Sequence, residues 1–198
     1  FYPEKDNYRE LMDDLQIRID ELALLGADIV AYNCTVGSMA CPVKLLTNKL
    51  ESNGSPGVST APSVIQALKT LGVRKISLAT PYSDAINVHE KDYLEAYGFT
   101  VIQMAGMSFD AVEPELGRKF SQVSSDIIYE HALSVVHPDT EAIFLSCANF
   151  PTAGLVDPLE SKLNIPVITS NISTLWAALR KGNVMEKVNG YGKLLAEY

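Results

Sequence analysis

The fold of this chain is decided by one short stretch, Asp28-Ile29-Val30-Ala31-Tyr32-Asn33-Cys34. Its apolar run has the length of a buried strand and leads into polar residues and a cysteine. The same design returns at Glu141-Ala142-Ile143-Phe144-Leu145-Ser146-Cys147, where a second cysteine follows a second apolar run. Each stretch therefore predicts a buried strand with a cysteine at its carboxyl end.

The similarity between the two segments extends beyond the strands. Leu-Glu-Ser occurs at 50–52 and again at 159–161, and the spacing from Pro56 to Ser63 equals that from Pro166 to Ser173. Because α/β connections follow few patterns, such a likeness can arise by chance. The matching cysteines favour an internal repeat, in which each half contributes a strand, a cysteine, a helix, a strand and a helix.

Periodicity along the chain predicts alternating strands and helices. Strands are predicted at 28–32, 57–60, 75–79, 99–104 and 142–145; helices are predicted around 11–22, 43–52, 63–71, 88–97 and 126–136; residues 105–122 carry no regular pattern. Alternation of this kind is typical of an α/β fold with mainly parallel sheets. We predict two pseudo-symmetric Rossmann-like halves, each a mainly parallel sheet flanked by helices, with the active site in the cleft between them.

The repeat also predicts the domain boundaries. The first half is expected to comprise residues 1–72 and 171–198, and the second half residues 73–170. In the second half a strand ends at Thr80-Pro81-Tyr82, and Pro81 precedes Cys147 by 66 residues. The equivalent position in the first half falls before the first residue, so we expect that the first strand of that half, with part of a binding loop, is missing from this sequence.

Composition narrows the function. The 198 residues are 47% apolar and 20% charged and carry a net charge of −8, which is typical of a globular chain with a substantial core. An acidic surface without runs of Lys and Arg argues against nucleic acid or an anionic membrane as a partner. Only three cysteines occur, and an odd number favours free thiols in a reducing, cytoplasmic environment over a disulfide framework.

Two cysteines at equivalent strand ends indicate a shared site. A pseudo-two-fold axis would place the thiols of Cys34 and Cys147 on opposite faces of one cleft, although a single cysteine at a strand end is usually just a small apolar residue. Each cysteine precedes polar residues and the start of a helix, whose free N–H groups bind carboxylates. We therefore expect an enzyme that needs neither a metal nor an organic cofactor.

The motifs resemble those of the aspartate/glutamate racemase superfamily. Its features here are Asn33-Cys34-Thr35 and the Cys-x-x-aromatic-Pro run that starts at Cys147. Thr80-Pro-Tyr-Ser-Asp-Ala-Ile-Asn87 and the run from Thr169 to Leu179 are most similar to the maleate cis–trans isomerase and arylmalonate decarboxylase branch. The likeness covers nearly all of the chain from about residue 27 onward.

This resemblance implies residue roles. Cys34 would be the nucleophile or base, and Cys147 the proton donor. The neighbouring residues predict the charges: backbone N–H groups after Cys34 favour a thiolate, and the more apolar run around Cys147 favours the neutral thiol. The substrate carboxylates would be bound by the following residues: Thr35, Pro81, Tyr82, Asn87, Ala148 and Asn149. The partner would be a small carboxylate or dicarboxylate, and a homo-oligomer is left open.

Several functions remain open on this evidence. Maleate-type cis–trans isomerisation is favoured, because the decarboxylases of this branch resemble the pattern with only the second cysteine kept. A two-base racemase of the Asp/Glu type and an arylmalonate-type decarboxylase are alternatives. A two-lobed carboxylate-binding protein without turnover is an alternative of another class.

The remaining candidate residues are assigned to structure. Cys41 has no symmetric counterpart in the second half. His89, His131 and His137 lack the spacing of zinc ligands, so no metal site is predicted.

Overall fold

Short apolar runs form the strands of parallel sheets. The computed structural model describes residues 8–109 and 115–198. The strands in these residues are β1 (Val30–Tyr32), β2 (Gly57–Ser59), β3 (Lys75–Thr80), β4 (Thr100–Gly106), β5 (Ala142–Leu145) and β6 (Val167–Thr169). The helices are α1 (Tyr8–Leu24), α2 (Thr35–Ala40), α3 (Val43–Leu50), α4 (Thr60–Thr70), α5 (Asp84–Ala96), α6 (Glu115–Ser121), α7 (Ser125–Ser134), α8 (Val156–Leu163), α9 (Ser170–Lys181) and α10 (Lys193–Glu197), with a 3-10 turn at Ala153–Leu155.

The strands pair into two sheets within the described residues. β1 pairs with β2, and the other strands pair in the order β4-β3-β5-β6. Every pairing is parallel. Parallel strands require crossover connections, which the helices between them supply. The predicted fold class, α/β with parallel sheets flanked by helices, is confirmed.

Burial explains why these runs become strands. All four residues of β5 are buried, and so are the last five of β3 and all three of β6. Strands covered by helices on both faces need such continuous apolar runs. A smaller core forms between α1, β1 and α3 from Ile19, Val30, Cys41, Leu46 and Leu50.

The repeat appears in the chain path. β2 runs directly into α4, β6 runs directly into α9, and α4 packs against α9. Helix α9 also contacts β1 and β2, which belong to the smaller sheet. The contacts of α9 with the smaller sheet agree with assigning residues 171–198 to the first half. The division into 1–72 with 171–198 and 73–170 stays a prediction.

The structure differs from the sequence prediction at several element boundaries. Residues 115–121 form α6 although no regular pattern was expected in 105–122, and residues 110–114 of that region lie outside the described residues. Helix α5 begins at Asp84 instead of Val88, because Ser83 takes the extended N-cap conformation and Asp84 places a negative charge in the first turn. Its apolar periodicity starts only later.

The carboxyl ends of the strands position the loops of interest. β3 and β5 are neighbours, so the loops that follow them, with Tyr82 and Cys147, lie at one edge of the larger sheet. Cys34 follows β1 of the smaller sheet. Of the helices in residues 8–109 and 115–198, none is long and apolar enough to cross a membrane.

Candidate active site

The loops after β1, β3 and β5 enclose one cavity of about 470 Å³. Seven of the predicted site residues line it: Cys34, Thr35, Pro81, Tyr82, Cys147, Ala148 and Asn149. The structure therefore brings both predicted cysteines to one cavity, one from each sheet. The side chains that the described residues contribute to its lining are polar, apolar or thiol groups without a Lys, Arg or carboxylate.

Cys34 lies between β1 and α2 and is paired with a tyrosine. It is the N-cap residue of α2, with an extended backbone (φ −139°). The Tyr32 side chain hydrogen-bonds the Cys34 thiol. Burial, and after it the adjacent thiol, raises the pKa of Tyr32 well above its usual range. This hydroxyl therefore stays protonated and can donate a hydrogen bond to the sulfur.

Cys147 also has a tyrosine partner, which comes from the loop after β3. Tyr82 is buried, and its side chain hydrogen-bonds the Cys147 thiol. Burial raises the pKa of Cys147 to about 11, although the Tyr82 hydroxyl and the backbone N–H of Asn149 both favour the thiolate and oppose this shift. Desolvation outweighs the two hydrogen bonds, and Cys147 is therefore a neutral thiol at physiological pH.

The backbone at Cys147 is strained. Its φ of +108° lies in a region that residues with a side chain rarely adopt. Strain of this kind persists only where the surroundings hold the residue in place, and it is typical of functional sites. The Ser146 N–H donates to the Ala79 carbonyl (3.0 Å) and the Cys147 N–H donates to Ser170 Oγ (3.0 Å), which fixes the loop on both sides.

Ser170, the first residue of α9, joins the two cysteine loops. Its hydroxyl oxygen accepts a hydrogen bond from the Cys147 N–H and another from Thr35 Oγ1 (2.7 Å). Thr35 follows Cys34 directly, so a single buried oxygen holds the residue next to one cysteine and the backbone of the other. This contact spans both sheets.

Asn171 repeats this connection one residue further along. Its Nδ2 donates to the Ala148 carbonyl (3.0 Å), and its Oδ1 accepts from Asn33 Nδ2 (2.7 Å). Asn33 precedes Cys34, and Ala148 follows Cys147. Ser170 and Asn171 thus tie the residues on each side of Cys34 to the Cys147 loop.

These contacts refine the role of Thr35. Its hydroxyl proton is committed to Ser170, and the side chain is buried. The donor that Thr35 can offer a ligand is therefore its backbone N–H, in the first turn of α2, where helical N–H groups lack partners within the helix.

Asn87 is the predicted site residue that is not part of the cavity lining in the described structure. It is buried on α5 and its Oδ1 accepts a hydrogen bond from Thr80 Oγ1 (2.6 Å), which in turn accepts from the Tyr82 N–H (3.0 Å). A Cβ at Gly106 would collide with Asn87 and with the Tyr82 carbonyl. Asn87 thus supports the loop that carries Tyr82, and its predicted contact with the substrate stays a prediction.

Cys41 lies away from the cavity. It is buried in the smaller core with Ile19 and Leu46, and burial raises the pKa of its thiol. In the described part of the chain, no three His, Cys, Asp or Glu side chains come together as a metal-binding cluster would require.

Sequence reasoning missed several residues at this site. Tyr32 was assigned only to a strand, and Ser170 and Asn171 only to the motif at 169–179. The repeat contained a signal for Ser170, because it aligns Ser170 with Thr60, another small hydroxyl residue. In the structure Thr60 also contacts a cysteine loop, through its Oγ1 and Asn33 Oδ1 (3.1 Å).

Ser170→Ala is expected to separate the two cysteine loops. The Cys147 N–H would be left buried without an acceptor, which costs about 1–3 kcal/mol of stability, and turnover should fall about tenfold or more because the thiols lose their relative placement. Ser173→Ala is the matched control, since Ser173 is buried on the same helix with a hydroxyl that has no partner in the described structure. Chemical denaturation and steady-state rates would measure both effects; equal losses in the two variants would contradict the assigned role.

The fold and the site together define a class: an α/β protein of parallel sheets that brings a cysteine from each sheet to one cavity. Comparison with known proteins identifies the group within that class. Residues 3–195 match the family model described as arylmalonate decarboxylase. This chain belongs to the arylmalonate decarboxylase family, and the resemblance inferred from the motifs is confirmed.

Individual relatives carry two different activities. The chain is 25% identical over 179 residues to arylmalonate decarboxylase of Bordetella bronchiseptica, covering 89% of this chain and 71% of that protein. It is 25% identical over 187 residues to maleate isomerase of Alcaligenes faecalis, covering 89% and 72%. A solved structure of a Nocardia farcinica maleate cis–trans isomerase mutant, with a covalently bound succinylcysteine intermediate, matches with a TM-score of 0.84 at 21% identity, covering 92% of this chain and 77% of that one.

Proposed function

We propose that this protein is a cofactor-independent isomerase of a small carboxylate or dicarboxylate, and that its reaction is cis–trans isomerisation of the maleate type. The observation that carries the proposal is the placement of Cys34 and Cys147 on one cavity, with Cys147 held as a neutral thiol by burial. A reaction that needs one sulfur nucleophile and one proton donor requires this combination.

The two thiols divide the chemistry as follows. The Cys34 thiolate adds to one alkene carbon of a cis-enedioate, which forms a C–S bond and leaves negative charge on the neighbouring carbon. Cys147 donates its proton to that carbon, and the remaining C–C single bond rotates. The Cys147 thiolate then removes a proton from the same carbon, and the C–S bond breaks with its electron pair returning to Cys34. The trans alkene leaves behind the Cys34 thiolate and the neutral Cys147 thiol.

Neutral donors would hold the substrate carboxylates. The first-turn N–H groups of α2, at Thr35, Val36 and Gly37, have no acceptor within the helix, and Asn149 also lines the cavity. Preorganised dipoles of this kind stabilise charge that develops during the reaction. They also explain how a protein of net charge −8 can bind an anion.

The relatives support this choice among activities. Maleate isomerases and an arylmalonate decarboxylase are the curated relatives of the chain. The presence of Cys34 favours isomerisation, because the decarboxylases of this branch resemble this chain but keep only the second of the two cysteines.

A specific observation favours decarboxylation as the second candidate. The cavity lining includes the large apolar side chains of Ile86, Phe109 and Phe120, and the two phenylalanine rings pack against each other. Such side chains suit an aryl substituent, whereas maleate carries none. A racemase by two-base proton transfer would use the same pair of thiols, and a binding protein would use neither.

A substrate panel distinguishes these functions. The purified protein is incubated in D₂O with maleate, with phenylmalonate, and with the separate enantiomers of aspartate and glutamate. Proton NMR follows fumarate and phenylacetate, and exchange of the α-proton for deuterium reports racemisation. Fumarate from maleate supports the proposal, whereas CO₂ release, racemised amino acid, or binding without any turnover each replace it with the corresponding alternative.

The cellular setting is part of the proposal. All three cysteines are free, which suits a reducing cytoplasm. A homo-oligomer remains open.

A further inference from the structure

A buried carboxyl group lies behind the Cys147 loop. Glu90, on α5, is fully buried, and its Oε1 accepts a hydrogen bond from Ser146 Oγ (2.6 Å). Ser146 is the residue immediately before Cys147. The second oxygen, Oε2, is buried without a hydrogen-bond partner in the described structure. A buried acid with one oxygen unsatisfied is costly and calls for an explanation.

The surroundings of Glu90 are almost free of charge. Glu90 and Tyr93 line a small gap in the core. The other residues that line it come from α2, α4, α5 and β5: Thr35, Met39, Ala61, Val64, Leu94 and Phe144. Tyr93, one turn along α5, is the titratable member of this set. Tyr82 and Cys147 are the other titratable groups that sense the charge of Glu90.

These surroundings keep Glu90 protonated. Burial raises the pKa of Glu90 to about 8, and the hydrogen bond from Ser146 only partly opposes the shift. At neutral pH the group is therefore mostly a carboxylic acid. Its ionisation above that range would place a negative charge next to the Ser146–Cys147 segment.

The Cys147 loop needs support at this point. The left-handed backbone of Cys147 is held by the Ser146 N–H and the Cys147 N–H, as described above. The Ser146 side chain is the remaining anchor of the residue before the bend, and its partner is Glu90. Without that contact, a strained loop can relax and turn the thiol away from the cavity.

We propose that Glu90 is a positioning residue for Cys147: its contact with Ser146 holds the strained loop, and the proton it retains keeps negative charge away from the proton-donating thiol. The role of Cys147 as donor rests on the proposed function, whereas the effect of Glu90 on the thiol does not. The two can therefore be tested separately.

The first test measures the thiol directly. Iodoacetamide labelling of Cys147 is followed from pH 6 to 11, per residue, by mass spectrometry in wild type and in Glu90→Gln, which keeps an oxygen acceptor for Ser146 but cannot ionise. Removing the nearby negative charge should lower the labelling midpoint of Cys147 by about half a pH unit or more. Glu95→Gln, an exposed residue of the same helix, is the control and should leave the midpoint unchanged.

The second test concerns stability. Because the folded-state pKa of Glu90, about 8, lies above the ordinary 4.5, the folded state binds this proton more tightly than the unfolded chain does. The stabilisation that this provides is complete below about pH 4.5 and is lost as the pH rises to about 8. The melting temperature should therefore fall more steeply between pH 5 and 9 in wild type than in Glu90→Gln.

The third test uses turnover. Ser146→Ala removes the anchor but leaves Glu90, and it should lower kcat at neutral pH more than Glu90→Gln does, while Glu90→Gln moves the alkaline limb of the pH–rate profile. Unchanged Cys147 labelling and an unchanged melting profile in Glu90→Gln would overturn the proposal. Shifted labelling in a protein that turns over no carboxylate would uphold the placement of Glu90 and reject the proposed function instead.

Discussion

Cys34→Ser and Cys147→Ser are each expected to abolish nearly all turnover, whereas Cys41→Ser retains most of it. A serine hydroxyl is a far weaker nucleophile than a thiolate and a far weaker acid than a thiol, so each change removes about 10³-fold or more of the rate. Cys41 lies in the smaller core and does not line the cavity in the described structure. Its replacement should cost stability only.

The measurement is the steady-state rate of fumarate formation from maleate, with thermal melting to confirm that each variant folds. The two single losses should not add in the double variant, because either thiol alone leaves the reaction incomplete. In Cys147→Ser, incubation with maleate should add the mass of one substrate to Cys34, since the carbanion can slowly take a proton from water but no thiolate is present to remove it again. Equal damage from Cys41→Ser, or an adduct on another residue, would refute the assignment of roles.

The overall fold could be predicted because it depends on local patterns. Buried parallel strands need continuous apolar runs, and both runs that end in a cysteine are visible in the sequence. The meeting of Cys34 with Cys147 also followed from the repeat, because equivalent strand ends face a shared cleft when two similar halves pack together. Both inferences used spacing along the chain alone.

The contacts that hold the cysteines could not be predicted in the same way. Ser170 and Asn171 are the first residues of α9 after its N-cap, Thr169, and small polar residues are common at helix starts whatever they contact. Their contacts with Thr35 and Asn33 link residues more than 130 positions apart in the chain. No local pattern specifies such a pairing, since it depends on how α9 packs over both sheets.

Helix α5 illustrates the same limit with polar residues on a buried face. Asn87, Glu90 and Leu94 lie at helical spacing and are all buried. In sequence, an Asn and a Glu on a helix indicate a solvent-exposed face or, for Asn87, a ligand contact. In the structure each supports a loop, Asn87 the loop with Tyr82 and Glu90 the loop with Cys147. The resemblance to the family identified the neighbourhood of Asn87 but not its partner.

Gly37→Ala is expected to reduce turnover about 10²-fold with little loss of stability. A Cβ at Gly37 would overlap the Tyr32 hydroxyl and approach Cys34 Sγ to 3.1 Å. The tyrosine can swing its ring away more cheaply than the backbone can move, so the protein should fold but lose the Tyr32–Cys34 hydrogen bond. Misplacing a reacting group by about 1 Å is enough for a loss of this size. Gly154→Ala is the control, because a Cβ there meets nothing within 4 Å.

A double-variant cycle identifies the cause of this loss. If Gly37→Ala acts by displacing the Tyr32 hydroxyl, then Tyr32→Phe alone should produce a similar fall in kcat, and adding Gly37→Ala to Tyr32→Phe should lower it little further. Labelling of Cys34 by iodoacetamide provides a second readout, since both single variants remove the same hydrogen-bond donor from its sulfur. Losses that multiply in the double variant would mean that the alanine acts through the α2 backbone and independently of the Tyr32 hydroxyl.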